Sequence, residues 1–135
     1  MLAPRIPDRQ PPPVNILYID DNEINRKVLQ IMLESRQIDM VSAASGEEGL
    51  ALAAAQPFDL IFVDLRMPKI DGLEVVRRLR ADARHSDDRN IVIITADVSP
   101  ETEQACYRAG TDAVLHKPVS MVDLFALVDR WTPDD

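Results

Sequence analysis

Residues 60–72 read LIFVDLRMPKIDG, in which four consecutive apolar residues lead into Asp64. A continuous apolar run of this length is typical of a strand that is buried on both faces, as in a parallel sheet. Asp71, with Glu74 three residues further on, has the spacing that caps the start of a helix. The stretch therefore predicts a buried strand, an aspartate at its carboxyl end, and a helix after it.

The same alternation of strand and helix extends to both sides of this stretch. Further apolar runs lie at residues 16–19, 40–44, 91–94 and 113–115, of which the second and the last are weak. Helix starts are marked by Ser45, Ser99 and Ser120, and Gly110 is placed to end the fourth helix. Five strand–helix pairs predict an α/β fold, namely a flavodoxin-like, doubly wound, five-stranded parallel sheet of order 2-1-3-4-5 with helices on both faces.

Two of the predicted helices carry apolar residues at helical spacing. In the first helix they are Ile24, Val28, Ile31 and Met32. In the fifth they are Leu124, Leu127, Val128 and Trp131. Recurrence every three or four residues indicates one face of an amphipathic helix, so these residues are expected to pack on the sheet.

Composition limits the number of domains and the class of partner. The 135 residues fit one domain, predicted at residues 15–131, with a proline-rich flexible tail at 1–14 and a frayed end at 132–135. The formal net charge of −8 argues against a nucleic-acid partner, because binding to phosphates depends on Lys and Arg. No apolar run approaches the roughly 20 residues that span a bilayer, so no membrane insertion is expected. With one cysteine and no apolar signal core, the chain is expected to be cytoplasmic.

Polar residues follow four of the five predicted strands. Asp20 and Asp21 come after the first, Asp64 after the third, Thr95 after the fourth, and Lys117 shortly after the fifth. The carboxyl edge of an open parallel sheet is where such folds bind ligands, and the predicted order makes the first and third strands neighbours. Three carboxylates in one cleft repel each other unless a cation bridges them, and oxygen ligands suit Mg²⁺. With a hydroxyl and an ammonium group added, the set can hold a phosphoryl group during transfer.

Each of these residues also has an ordinary structural explanation. Asp20 and Asp21 can cap the first helix, and Thr95 can satisfy backbone groups. Lys117 can be an exposed solubilising charge. The joint placement of all of them at strand ends favours a shared site.

The chain resembles a response-regulator receiver domain of two-component signalling. The resemblance is carried by the segments 16-ILYIDDNEINRKV-28, 60-LIFVDLRMPKIDG-72, 91-IVIITA-96 and 115-LHKP-118. They are spread along residues 15–131, so the resemblance covers nearly the whole folded part. The stretch DDNEIN is also similar to receivers attached to hybrid histidine kinases.

The resemblance implies a role for each strand-end residue. Asp64 is the phosphoacceptor, which takes a phosphoryl group from a phosphohistidine and becomes an aspartyl phosphate. Asp21, Asp64 and the backbone carbonyl of Arg66 ligate Mg²⁺, and Asp20 contacts the metal through water. Lys117 pairs with a phosphoryl oxygen.

The resemblance also implies a conformational switch. The hydroxyl of Thr95 moves to the phosphoryl group after transfer, and the backbone N–H groups of Arg66 and Ala96 donate to its oxygens. Pro118 is the position at which the family has a cis peptide bond. Phosphorylation then shifts the population between two packings, which changes the surface formed by helix 4, strand 5 and helix 5 for a downstream protein.

The implied partners are a histidine kinase, a histidine phosphotransfer protein, or both. The chain is then a stand-alone regulator, a phosphorelay intermediate or the receiver of a larger hybrid protein. It is expected to catalyse its own phosphorylation and slow dephosphorylation without turning over external substrates. The kinase, the signal, the downstream target, the oligomeric state, the role of the tail and the direction of phosphate flow in a relay stay open.

Three positions near the site are expected to tune it. Val114 stands where receivers usually have Tyr or Phe, so switching is expected to rely on loop motion with weak coupling at strand 5. Arg66 and Asp97 carry opposite charges, and we expect them to pair across the mouth of the cleft and to slow the attacking water. Solvated surface charges are the ordinary alternative for this pair. His116, next to Lys117, is expected to be an ordinary surface histidine, and tuning of partner docking is its alternative role.

Two alternatives to a phosphoryl-accepting switch belong to other functional classes. The first is a pseudo-receiver, an interaction module that does not turn over phosphate, and the intact acceptor set weighs against it. The second is a Mg²⁺-dependent phosphatase with an aspartate nucleophile. Such an enzyme needs a second carboxylate two residues after the nucleophile as acid and base, and Arg66 occupies that position.

Overall fold

The computed structural model describes residues 14–82 and 90–131. Strands and helices alternate along it: β1 (Ile16–Ile19), α1 (Glu23–Glu34), β2 (Met40–Ala43), α2 (Gly46–Ala55), β3 (Leu60–Asp64), α3 (Gly72–Ala81), β4 (Asn90–Thr95), α4 (Pro100–Ala109), β5 (Ala113–His116) and α5 (Met121–Arg130). The proline-rich segment up to residue 13 and the last four residues lie outside the described residues. The predicted tail and frayed end therefore stay predictions.

The five strands form one parallel sheet in the order β2-β1-β3-β4-β5. This confirms the predicted fold class and strand order. β1, β3 and β4 lie in the interior of the sheet, and their apolar runs are buried on both faces. β2 is an edge strand, and its exposed Val41 and Ser42 account for the weak apolar signal at residues 40–44.

Side chains alternate along the strands and build two apolar layers. Leu17, Ile61 and Ile93 face the layer that also contains residues of α2, α3 and α4. The alternate strand positions, which include Ile16 and Phe62, face the opposite layer, and residues of α1 and α5 complete that layer. Burial of each large side chain contributes about 1.5–3 kcal/mol, so the layers hold the strand ends in place.

Side-chain caps define where the helices begin. Ser45, Asp71, Ser99 and Ser120 each accept a hydrogen bond from a backbone N–H three residues further on, as the sequence predicts. Helix α4 ends at Gly110, whose φ of 117° lies in the left-handed region that favours glycine. Helix α1 is capped by Asn22, which leaves the two preceding aspartates available for other contacts.

The predicted buried face of α1 is wrong for three of its four residues. Ile24, Val28 and Ile31 are exposed, whereas Leu29 and Leu33 are buried in the layer between the helix and the sheet. Helix α1 carries apolar residues on two adjacent stripes, and a helix that packs on a flat sheet buries only one of them. Periodicity alone could not indicate which stripe faces inward.

Candidate functional site

The predicted site residues converge at the carboxyl edge of the sheet. A cavity of about 260 Å³ is lined there by Asp20, Asp21, Asp64, Arg66, Thr95, Ala96, Asp97 and Lys117, together with Asn22 and Asn25. Of the site residues that the sequence predicts, Val114 does not line this cavity. It lies on β5 and packs against the apolar layer of α2, α3 and α4.

Three aspartates form the acidic wall of this cavity. Ile19 of β1 pairs with Val63 of β3, so Asp20 and Asp64 extend from neighbouring strand ends at the same level. One carboxylate oxygen of each of Asp20, Asp21 and Asp64 lies within 4.8 Å of the others. Asp20 and Asp64 are buried and Asp21 is exposed. Hard oxygen ligands that are reachable from one open side are the donor set that Mg²⁺ prefers.

Lys117 brings a positive charge to this acidic wall. Its Nζ lies 2.7 Å from Oδ1 of Asp64. The peptide bond between Lys117 and Pro118 is cis, and the backbone N–H of Lys117 donates to the carbonyl of Thr95 at 2.9 Å. Burial raises the pKa of Asp64, the hydrogen bond from Lys117 opposes this shift, and the charge of Asp20 adds to it.

Thr95 is buried at the end of β4, and its hydroxyl is already engaged. The Oγ1 atom accepts a hydrogen bond from the backbone N–H of Asp97 at 3.0 Å. Movement of this hydroxyl toward a bound group therefore requires the loop after Thr95 to give up or rearrange that bond. The loop and the hydroxyl are mechanically linked in this arrangement.

Asp97 ties the loop after β4 to the start of α4. Its carboxylate accepts from the backbone N–H of Ser99 at 2.8 Å and from the hydroxyl of Thr102 at 2.7 Å. These two hydrogen bonds lower the pKa of Asp97 to about 2. The guanidinium of Arg66 lies 3.4 Å from the same carboxylate, so the two charges meet at the mouth of the cavity as the sequence predicts.

Tyr18 contacts the site although the sequence reasoning did not single it out. Its buried hydroxyl donates to Oδ2 of Asp20 at 2.5 Å, while Oδ1 of Asp20 accepts from the backbone N–H of Asn22 at 2.9 Å. Burial raises the pKa of Tyr18 far above its ordinary value, and Asp20 adds to the shift. The sequence could have indicated this contact, because Tyr18 and Asp20 are two residues apart and residues i and i+2 lie on the same face of a strand.

His116 departs from the expected surface histidine. It lies at the end of β5 opposite Thr95, and it is only partly exposed. Its Nε2 is buried and has no hydrogen-bond partner among residues 14–82 and 90–131. Cys106 of α4 is buried in the apolar layer that contains residues of α2, α3 and α4.

Comparison with known proteins places this geometry in a known family. The sequence matches the family model described as "Response regulator receiver domain" over residues 16–129. It is 38% identical over 127 residues to "Response regulator MprA" of Mycolicibacterium vanbaalenii, a match that covers 91% of this chain and 54% of that protein. The chain thus spans about half the length of this relative, and only 7% of "Hybrid signal transduction histidine kinase E" of Dictyostelium discoideum.

Two solved structures bear on the site. The receiver domain of sensor histidine kinase PA1611 from Pseudomonas aeruginosa, with a magnesium ion coordinated in its active site cleft, matches with a TM-score of 0.80 and 29% identity, covering 88% of this chain and 97% of that one. The receiver domain of Ssk1 from Saccharomyces cerevisiae, in co-crystals with the histidine phosphotransfer protein Ypd1, matches with a TM-score of 0.82 and 26% identity over 91% of both chains.

Proposed function

Because the chain belongs to the response regulator receiver domain family of two-component signalling, we propose that it accepts a phosphoryl group from a phosphohistidine onto Asp64 with the help of Mg²⁺. One observation carries the proposal: the Asp64 carboxylate lies 2.7 Å from Lys117 and within 4.8 Å of Asp20 and Asp21. Receiver domains are signalling switches rather than multiple-turnover enzymes. The proposed function is accordingly that of a switch, without turnover of external substrates.

The residues present fit a magnesium ion. Asp21 and Asp64 supply carboxylate oxygens, the backbone carbonyl of Arg66 is the third proposed ligand, and Asp20 contacts the ion through water. The solved PA1611 receiver, which has a magnesium ion coordinated in its active site cleft, supports a magnesium site in this cleft. When bound, Mg²⁺ would supply positive charge that offsets the repulsion between the Asp64 carboxylate and the phosphoryl oxygens.

The chemistry at Asp64 is a substitution at phosphorus. A carboxylate oxygen forms a new P–O bond, and the P–N bond of the phosphohistidine breaks with its electron pair going to the imidazole nitrogen, which takes up a proton. Lys117 and the backbone N–H groups of Arg66 and Ala96 bind the phosphoryl oxygens. The work of these groups is positioning and charge neutralisation.

The proposed switch begins at Thr95. The new phosphoryl group attracts the hydroxyl of Thr95, which then exchanges the hydrogen bond from Asp97 N–H for one to the phosphoryl group. The loop from Ala96 onward moves with it. Since Val114 provides no aromatic side chain to reorient, chemical shift changes in NMR spectra of the phosphorylated chain are expected to be larger in this loop than in β5. Equal changes in both would contradict loop-based switching.

The proposed partners are a histidine kinase or a histidine phosphotransfer protein on one side and a downstream protein on the other. The solved complex of Ypd1 with a receiver supports the first. For the second we propose the face of α4, β5 and α5, where Tyr107, Met121 and Val122 are exposed. The net charge of −8 supports a role without nucleic acid.

Location and domain division are proposals of the same kind. None of the helices in the described part of the chain is long and apolar enough to cross a membrane. We propose a cytoplasmic receiver domain at residues 15–131, flanked by the tail at 1–14 and the segment at 132–135.

The test is phosphorylation by acetyl phosphate with Mg²⁺, followed by the mass of the intact protein. We expect a single phosphoryl adduct in the wild type and in Asp39→Asn, which removes an exposed carboxylate. Asp64→Ala is expected to give none. A wild type without an adduct would indicate a pseudo-receiver, and repeated turnover of a phosphomonoester would indicate a phosphatase.

A further inference from the structure

Tyr18 differs from the other residues of β1, which are aliphatic. Its side chain belongs to the apolar layer between the sheet and α1, which also contains Phe62 and Leu29. A hydroxyl group in such a layer costs free energy unless it finds a partner. The side chain is 2% exposed, so water does not supply that partner, and the hydroxyl donates to Asp20 instead.

Asp20 has the complementary requirement. It is fully buried, and its two carboxylate oxygens each need a donor. Oδ1 receives the backbone N–H of Asn22, and Oδ2 receives the hydroxyl of Tyr18. The guanidinium of Arg26 donates to the backbone carbonyl of Asp20 at 2.7 Å, so it holds the main chain and leaves the orientation of the carboxylate to the other two donors.

We propose that Tyr18 is a positioning residue for the metal site, and that its hydroxyl orients the Asp20 carboxylate for magnesium binding. The inference rests on the proposed function, because it needs Mg²⁺ in the acidic cluster. With both oxygens bonded, the plane of the Asp20 carboxylate is set before the ion arrives. Residues that orient metal-binding carboxylates in this way typically change metal affinity when they are removed.

Substitution of Tyr18 by Phe separates the hydroxyl from the ring. Tyr18→Phe keeps the aromatic packing but removes the one side-chain donor that Asp20 has among the described residues. The carboxylate then keeps the hydrogen bond from the backbone N–H of Asn22 but loses the one at Oδ2, and the ion must complete its ordering on binding. Tyr107→Phe is the matched control, because Tyr107 is the second of the two tyrosines and lies exposed on α4.

The first measurement is Mg²⁺ binding by isothermal titration calorimetry. We expect the dissociation constant of Tyr18→Phe to be about tenfold above that of the wild type, whereas Tyr107→Phe is unchanged. Phosphorylation by acetyl phosphate is expected to be slower in Tyr18→Phe at limiting Mg²⁺ and to recover at saturating Mg²⁺. A dissociation constant that is equal to or below that of the wild type, or a rate deficit that persists at saturation, would overturn the proposal.

The second measurement needs no variant, so it holds even if Tyr18→Phe folds poorly. With ¹³C label at Cζ of both tyrosines, the wild-type chain is titrated with Mg²⁺ and followed by NMR. The Tyr18 signal is expected to move in step with binding while the Tyr107 signal stays in place. A Tyr18 signal that does not move at saturation refutes the proposal. If the wild type binds no Mg²⁺ at all, both the proposed metal site and this inference fail, whereas binding without an effect of Tyr18 overturns the inference alone.

Discussion

Asp64→Asn is expected to make the metal-free protein more stable, although it removes the acceptor. The facing carboxylate oxygens lie no more than 4.8 Å apart, so each pair repels by at least about 1 kcal/mol at the dielectric constant of water and at least about 3.5 kcal/mol at an effective value of 20. Asp64 has two such neighbours, Asp20 and Asp21. The ammonium of Lys117 at 2.7 Å attracts it by about 1.5–6 kcal/mol over the same range.

The two repulsions therefore at least offset the one attraction, and burial of Asp64 adds a further cost to its charge. Asp64 is 5% exposed, so its charge loses most of its hydration in the folded state. This agrees with the direction of its pKa, which burial raises above the ordinary value. Replacement of a buried charge by a neutral side chain of the same shape is expected to raise the free energy of unfolding by about 1 kcal/mol or more.

The raised pKa of Asp64 also predicts how the stability difference between Asp64→Asn and the wild type depends on pH. A raised pKa in the folded state means that protonation of Asp64 stabilises the fold, and that this stability is lost as the pH rises through the folded pKa. The advantage of Asp64→Asn is thus largest at neutral pH and disappears in mild acid, as the pH falls toward the ordinary pKa of an aspartate. Added Mg²⁺ is expected to stabilise the wild type more than the variant.

Urea denaturation followed by circular dichroism, with EDTA present, measures this difference. Asp39→Asn is the control, since it removes an exposed carboxylate outside the site. Loss of stability in Asp64→Asn at neutral pH would refute the reasoning, because it would mean that the ion pair with Lys117 outweighs burial and repulsion. An advantage that stays constant with pH would show that the charge is not its cause.

Three further perturbations test other parts of the site. Lys117→Met is expected to keep its fold and to be phosphorylated by acetyl phosphate about 100-fold more slowly, since one charged group that binds the phosphoryl oxygens is lost; an unchanged rate would contradict its role. Arg66→Ala and Asp97→Ala are expected to lose the phosphoryl group faster than the wild type, as followed by phosphoprotein decay, and equal lifetimes would leave the pair as plain surface charges. Gly72→Ala is expected to lower the free energy of unfolding by about 1–3 kcal/mol in urea denaturation, because the added Cβ would lie 2.5 Å from the backbone carbonyl oxygen of Asp64; unchanged stability would mean that the chain relaxes there.

Much of the fold could be predicted because the sequence patterns are local. The run at residues 60–63 and its counterparts at 16–19 and 91–94 mark strands that are buried on both faces, and cap residues mark the helix starts. Alternation of strands and helices restricts the sheet to few arrangements. The carboxyl-edge position of Asp64 and Lys117 follows from that order without knowledge of any side-chain contact.

The orientation of α1 could not be predicted in the same way. Ile24, Val28 and Ile31 match a helical period as well as Leu29 and Leu33 do, and only packing on the sheet selects between them. Hydrogen bonds between side chains pose the same difficulty. Asp97 accepts from Thr102, five residues further along the chain, and no rule of spacing indicates this pairing.

The sequence by itself determined which residues reach the carboxyl edge, because strand ends and their order depend on patterns of burial along the chain. Only the tertiary structure decided how the acids are held there. Tyr18 and Asp20 lie two residues apart, yet the bond between them forms because the ring is packed in the layer of α1 and the carboxylate is buried beside it. When several elements bury two polar side chains together, each needs the other as a hydrogen-bond partner. Such burial exists only in the folded chain.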